Sequence, residues 1–311
     1  MHKEISILLS ADEQYARCCA VTILSVLSNT SVAQNIHFYV LTPDFSSVSI
    51  QKIEELCSSF RAQVSFVPVN LSLFESFPAF HSHFNQNNYS RIYGPDLCQS
   101  CDRLIYLDCD LIVLADVAEL FEYDLQGNVV GAVPHVQLPY QQTFIETFPV
   151  SGHDIYFNSG VMLIDADRWR KEKCAEAILS LASEHANQLH FADQDVFNVY
   201  FWQKYCHLSG LWNVEARLYK ERLLGLPQSP EITQRLQSPK IIHYTGGDKP
   251  WSSKQYVSKR EVCLEYSDRL SRLIGWQVNS EVRSCNPLNL VSFIYSCCYF
   301  RASSLVKAIK I

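Results

Sequence analysis

Three pairs of aspartates with one residue between them punctuate the chain: Asp108/Asp110, Asp165/Asp167 and Asp193/Asp195. Two hard oxygen donors that converge on one point suit a divalent cation that also grips phosphate, because Mg2+ and Mn2+ favour carboxylate, water and phosphate ligands. The motif is too short to carry that reading alone, and its surroundings separate the copies. Only Asp108/Asp110 directly follows an uncharged apolar run, Leu104-Ile-Tyr-Leu107, and precedes another, Leu111–Ala115. A fully buried parallel strand reads this way. Side chains at i and i+2 of an extended segment share a face, so both acids can meet at the strand's carboxyl end, where open α/β sheets bind ligands. Asp165-Ala-Asp167 stands before Arg168-Trp-Arg170 and is expected to cap a helix. Asp193-Gln194-Asp195 opens a helix with Val196, Phe197 and Val199. Acid at a helix start is ordinary, but a glutamine held between two aspartates at a crevice is less so.

Other groups join this chemistry at a distance. Lys240-Ile-Ile-His243 ends a short strand and is followed by a glycine turn and Lys249. A neutral imidazole can complete a Mn2+ site with two carboxylates, and a lysine six residues on can reach a phosphate. A lone histidine would be structural; the turn and lysine downstream tip His243 to the metal. Asn158-Ser159-Gly160 enters the strand Tyr156–Asp165, where the glycine permits close approach of a ligand and Asn158 can both donate to and accept from sugar hydroxyls. Arg91 lies on an expected helix, Asn87–Cys98, facing the crevice, where it could neutralise a diphosphate or be a solvated charge. Asp12, at the lip of the first strand, could bond a base or ribose, or cap a helix. Cys98-Gln-Ser-Cys101 has metal or redox spacing without a second pair nearby and is read as structural.

The elements that must position these groups are regular. Strands at Glu4–Ser10, Ile36–Leu41 and Gln63–Val69 alternate with helices, the first showing Ala20, Ile23, Leu24 and Leu27 at helical spacing and the second spanning Ser47–Phe60. This βαβαβ opening predicts a nucleotide-binding half with right-handed crossovers. Val129–Val133 is a further strand and Arg168–Glu184 a helix. Pro134–Asp154 is polar and aromatic without a clear period and reads as an irregular lid over an acceptor.

With 311 residues, 48% hydrophobic and 19% charged, the chain can bury a large core in one big α/β domain or two smaller ones. A net charge of −6 gives no call for nucleic acid. The run Ile5–Leu9 is bracketed by acids, wrong for an export signal, so the twelve cysteines are expected to be buried thiols of a cytoplasmic protein. From Val282 onward there are four basic residues and no acid, and 17 uncharged residues separate Arg283 from Arg301. That is short for a membrane span; it suits a segment in an anionic membrane interface, which would make the protein peripheral on the inner face of the plasma membrane, or else a helix packed on the domain.

Four motifs in order, Leu107-Asp-Cys-Asp110, Tyr156-Phe-Asn-Ser-Gly160, Asp193-Gln-Asp195 and His243-Tyr-Thr-Gly246…Lys249-Pro-Trp251, make the chain resemble glycosyltransferase family 8 from about Ile5 to Trp251. The family comprises retaining, metal-dependent enzymes, among them bacterial lipopolysaccharide glucosyl- and galactosyltransferases and, more distantly, glycogenin. The resemblance implies a GT-A fold: an α/β, single Rossmann-like domain with a mostly parallel central sheet over residues 1–252; the composition of the remainder, 253–311, adds the expectation of a C-terminal helical, membrane-associating extension. It implies that Asp108, Asp110 and His243 bind Mn2+ (or Mg2+). Lys249, Gly246 and Arg91 would touch the UDP diphosphate, Asp12 and Ser10 would lie near the uridine, and Asn158, Asp193 and Gln194 would line the sugar pocket. The expected reaction moves glucose or galactose from its UDP-sugar to a hydroxyl of a glycan acceptor, a bacterial surface glycan such as lipopolysaccharide core. A protein, capsule or storage polysaccharide acceptor, and a sugar-nucleotide-binding protein without transfer, are the competing readings. An amide is a poor nucleophile, so retention here suggests same-face attack, with Asp193 and Gln194 positioning the sugar. One departure stands out: where many members carry an aspartate near the donor sugar, this chain has Pro134-His135.

Overall fold

The computed structural model describes residues 4–74, 86–136, 140–252 and 256–276. The first apolar runs form β1 (Ile5–Ser10), β2 (Ile36–Thr42) and β3 (Gln63–Pro68), joined by helices Ala16–Asn29 and Ser47–Ser59. Val, Ile and Leu buried on both faces leave β1 and β2 no solvent side, and they pair in parallel, as do β2 and β3. The asymmetric run of residues 102–107 supplies β4 (Arg103–Leu107), parallel to β1 on its other edge. β5 (Leu111–Val113), β6 (Val130–Pro134), β7 (Phe157–Asp165), β8 (Tyr205–His207), β9 (Val214–Glu215) and β10 (Ile241–His243) follow.

Seven strands make the central sheet in the order β3-β2-β1-β4-β7-β6-β8; β7 runs antiparallel to both its neighbours and every other pairing is parallel. This is the mixed α/β, mostly parallel architecture expected. Apolar cores lie on both faces, one around Ile7, Leu9, Ile23 and Ile105, the other around Leu8, Tyr106, Trp169 and Phe197. A second sheet, β5-β10-β9, leaves the first where the chain turns at Asp108–Asp110.

Two expectations change, and one described helix falls within the expected tail. The helix expected over Arg168–Glu184 is two, Ala166–Lys171 and Cys174–Glu184, broken at Lys173, which takes a left-handed φ of 53°. Neither glycine nor proline marks the break; the two helices bury different side chains, Trp169 on one and Ile178 on the other. Pro134–Asp154 is not wholly irregular: Tyr140–Thr147 is a helix whose Phe144 is buried against Tyr156 and Trp202. Residues 137–139 lie outside the described ones. Finally, helix Arg260–Ile274 buries Cys263, Tyr266, Leu270 and Ile274 in the same core as helix Ala16–Asn29. No described helix is long and apolar enough to cross a membrane. The segment expected at a membrane surface, from Val282 onward, lies outside the described residues.

Candidate active site

The site is assembled at the junction of the two sheets. β4 ends at Leu107 and β5 begins at Leu111, so Asp108-Cys-Asp110 is a bend between strands rather than an extended continuation of one. Antiparallel pairing sets His243 of β10 opposite Leu111 of β5, and Tyr244 N donates to Asp110 O at 2.9 Å. A residue 133 positions away in sequence is thereby delivered next to the acids. His243 Nε2 lies 2.9 Å from Asp110 Oδ1 and 3.5 Å from Asp108 Oδ2.

On the other flank β7 pairs antiparallel with β4, and Asp108 N donates to Gly160 O at 2.9 Å. A Cβ at Gly160 would lie 2.2 Å from His243 Cε1 and 2.5 Å from Asp108 Oδ2. The glycine therefore permits a close approach, but what approaches is the imidazole and the carboxylate.

The remaining oxygens of the pair are spent on cations. Arg91 NH1 donates to Asp108 Oδ1 at 2.9 Å, Tyr106 OH donates to the same oxygen at 2.7 Å, and Lys249 donates to Asp110 Oδ2 and to Tyr244 O. Asp108 Oδ2 and Asp110 Oδ1 are left turned towards His243 Nε2. Asp108, Asp110 and His243 each bring one such atom within 4.8 Å of the others, and two carboxylate oxygens with one imidazole nitrogen form a donor set fit for Mn2+ or Mg2+. The three groups also tune one another electrostatically. Burial opposes ionisation of Asp110, yet Lys249 and His243 hold its carboxyl well below the usual range. Burial likewise opposes a charged His243, but Asp110 and Asp108 outweigh it and raise its pKa.

The other expected residues are placed as follows. Arg91 is a buried strut, not a solvated charge. Besides Asp108 its guanidinium holds Asp193, Ser159 Oγ at 3.0 Å and the Tyr106 ring. Asp193 is fully buried, and its Oδ1 has no hydrogen-bond partner among the described residues. Gln194 is pinned at both ends: Oε1 accepts from Asn158 Nδ2 at 3.0 Å and Ser159 N at 3.1 Å, while Nε2 donates to Tyr156 OH at 3.1 Å. Asp195 accepts from Tyr156 OH at 2.6 Å and from the N–H groups of His190 and Phe191. That anchor faces a strained step, Ala192 at φ 48° and ψ −124°, a conformation costing on the order of 1–3 kcal/mol that aims Asp193 and Gln194 inward.

Asp12 accepts from Tyr15 N at 3.1 Å and caps the short turn Glu13–Tyr15, and Ser10 Oγ bonds Ser90 Oγ at 2.8 Å. Gly246 takes φ +82°, a turn conformation that favours glycine. A cavity of about 200 Å3 beside Asp110 is walled by Gln14, Arg17, Cys109, Tyr244 and Trp251. Asp165 caps helix Ala166–Lys171, as expected for that copy of the motif. All nine described cysteines are free and buried; burial pushes Cys98 up to about 12, the state of an inert thiol.

The sequence reading missed Asn213 and Glu215. Asn213 is buried and bonds both His243 and Asn158. Glu215 is buried against His135 and Arg217. Neither sits in a run whose composition marks it.

The sequence model for glycosyl transferase family 8 matches residues 6–255. The chain belongs to that family. It is 30% identical over 265 residues to general stress protein A of Bacillus subtilis, covering 82% of this chain and 90% of that one. It is 27% identical over 251 residues to the lipopolysaccharide 1,2-glucosyltransferase of Escherichia coli, covering 79% and 72%. The galactosyltransferase LgtC, solved in complex with donor and acceptor sugar analogs, superposes with a TM-score of 0.70 over 91% of this chain and 100% of its own, at 24% identity. This family 8 chain thus has the fold of the GT-A glycosyltransferases, and it is a glycosyltransferase related to enzymes of lipopolysaccharide synthesis.

Proposed function

We propose that the protein is a retaining hexosyltransferase that moves glucose or galactose from a UDP-sugar to a hydroxyl of a bacterial surface glycan, with lipopolysaccharide core the leading acceptor. The observation that carries this reading is the convergence of three potential ligand atoms, Asp108 Oδ2, Asp110 Oδ1 and His243 Nε2, within 4.8 Å of one another in a family 8 fold. These residues would hold Mn2+, which when bound supplies Lewis-acid stabilisation of the departing diphosphate.

The chain's own groups do the rest. Lys249, now on Asp110, would offset the negative charge that develops on the diphosphate, and Gly246 would leave the backbone free to come near it. Arg91 acts by holding Asp108 and Asp193 in register as well as by its charge. Ser10 and Asp12, at the carboxyl end of β1, would face the uridine. Asp193 Oδ1, buried and without a partner among the described residues, would accept from a hydroxyl of the sugar. Asn158 and Gln194 would line the same pocket. A glutamine whose oxygen already receives two hydrogen bonds, and whose neutral amide is a poor nucleophile, suits positioning better than covalent catalysis. This favours attack by the acceptor hydroxyl on the face the diphosphate leaves. The tail from Val282 onward is proposed to rest on an anionic membrane, which would keep the enzyme at the cytoplasmic side near such acceptors.

UDP release from a panel of UDP-sugars, with Mn2+ and after chelation, tests the reading. Turnover of UDP-glucose or UDP-galactose that vanishes with chelator and returns with Mn2+ is expected. Turnover indifferent to chelation, or none with any UDP-sugar, would defeat it.

A further inference from the structure

His243 meets the acids through one ring nitrogen; the other, Nδ1, lies 2.9 Å from Asn213 Oδ1. Asn213 Nδ2 in turn donates to Asn158 Oδ1 at 2.8 Å, and Asn158 Nδ2 donates to Gln194 Oε1 at 3.0 Å. Two backbone groups fix the sense of this chain. Gly160 N–H points at Asn158 Oδ1 from 3.0 Å, and Ser159 N–H at Gln194 Oε1 from 3.1 Å. A backbone N–H can only donate, so both facing atoms must be oxygens. With its oxygen turned to Gly160, Asn158 needs a donor from Asn213, which puts the Asn213 amide nitrogen on that side and its oxygen on His243. An oxygen facing Nδ1 requires that Nδ1 carry the hydrogen; Nε2 donates to Asp110 when the ring is protonated, and when the ring is neutral it is the Nε2 lone pair that turns to Asp108 and Asp110.

We propose that Asn213 is a positioning residue that sets the tautomer of His243 and ties the metal end of the site to the sugar end through Asn158 and Gln194. The topology explains why it can. Asn213 directly precedes β9, which pairs in parallel with β10 beside His243, while Asn158 lies on β7 across the gap between the two sheets. Buried and donating on one side while accepting on the other, Asn213 bridges the sheets with both halves of its amide used. The inference rests on the reading that Asp108, Asp110 and His243 hold a divalent cation.

Two variants separate its halves. Asn213→Asp keeps an oxygen for His243 but sets an oxygen against Asn158 Oδ1; Asn213→Leu removes both bonds at similar volume. Nitrogen-15 NMR of the metal-free protein, at alkaline pH where the imidazole is neutral, reads the tautomer directly. The Nδ1–H form is expected in the wild type and in Asn213→Asp, with the Nε2–H form growing in Asn213→Leu. Mn2+ binding to the chelator-treated protein, followed by the electron paramagnetic resonance signal of the free ion, is expected to weaken about 10–100-fold in Asn213→Leu. It should be retained in Asn213→Asp, whose transfer kcat nevertheless falls about tenfold or more because Asn158 loses its donor. An Nε2–H tautomer in the wild type, or wild-type Mn2+ affinity in Asn213→Leu together with wild-type kcat in Asn213→Asp, would overturn the assignment. Failure of the wild type to bind Mn2+ at all would instead count against the metal reading, and the tautomer measurement would still judge Asn213.

Discussion

Two buried histidines, His243 and His135, each lie against a carboxylate with a cation close by, yet they are tuned in opposite directions. His243 faces Asp110 on one side and the Asn213 oxygen on the other, so both ring nitrogens meet acceptors, and its pKa is raised. His135 points Nε2 at Glu215 Oε2, 3.3 Å away, but its Nδ1 receives an N–H from Arg217 at 3.2 Å. A nitrogen that must accept cannot be protonated, and burial with Arg217 lowers the His135 pKa despite Glu215. Glu215 itself is buried but held below the usual carboxylate range by His135 and Arg217, and it also accepts from Thr245 Oγ1 at 3.3 Å. The second cluster is closed on itself. In the first, two carboxylate oxygens and an imidazole nitrogen are left facing one another. Residue type does not distinguish a site from a strut here; the identity of the fourth partner does.

The largest effect should come from breaking the open cluster. Asp110→Asn removes one ligand and the partner of Lys249, and transfer should fall on the order of 10^3-fold with the fold intact, as judged by UDP release and circular dichroism. A loss of only a few-fold would place the metal elsewhere. Gly160→Ala comes next. Its methyl would press on His243 Cε1 and Asp108 Oδ2, so about 3 kcal/mol of stability should be lost, together with Mn2+ affinity. Unchanged melting would mean that β7 can move away from β10. In the closed cluster, Glu215→Gln sets an amide among three donors and should lose about 2 kcal/mol in denaturant unfolding. Its Mn2+ affinity should stay far nearer the wild type than that of Asp110→Asn; an equal drop would show that the two clusters work as one.

Where the sequence was readable follows the same division. Asp108, Asp110 and His243 were legible because each sits at the end of an apolar run that must become a buried strand, and strand ends are where open sheets expose chemistry. The central sheet was legible for the same reason. What escaped depends on pairing between distant segments. Asn213 matters only because β9 lies beside β10 and faces β7, a juxtaposition that no local period encodes. The bend at Asp108–Asp110 arises because β5 leaves for the second sheet, so the two carboxylates converge by a turn rather than by strand alternation. The break at Lys173 carries no glycine or proline. The helix Tyr140–Thr147 did leave a trace: Phe144 and Phe148 stand four apart and both are buried, one edge of a helical stripe too short to assert itself. At the position where the resemblance leads one to look for an aspartate, His135 is taken up by Glu215 and Arg217.

The smallest effect sharpens the comparison through pH. His135 has a lower pKa folded than its ordinary value of about 6.5, so the unfolded chain takes up the proton first as pH falls. The stability it contributes is complete above that ordinary value and is lost as pH drops through it towards the folded value. His243, raised instead, behaves oppositely, its contribution complete below the ordinary value and lost as pH climbs through the folded one. Replacing His135 by Gln leaves a neutral side chain able to donate to Glu215 and accept from Arg217. His135→Gln should therefore lose less stability than the wild type on acidification from about pH 7.5 to about 5.5, measured by denaturant unfolding on chelated protein. Parallel pH dependences would mean that His135 is already charged in the fold, and that Arg217 yields its hydrogen bond to accommodate it.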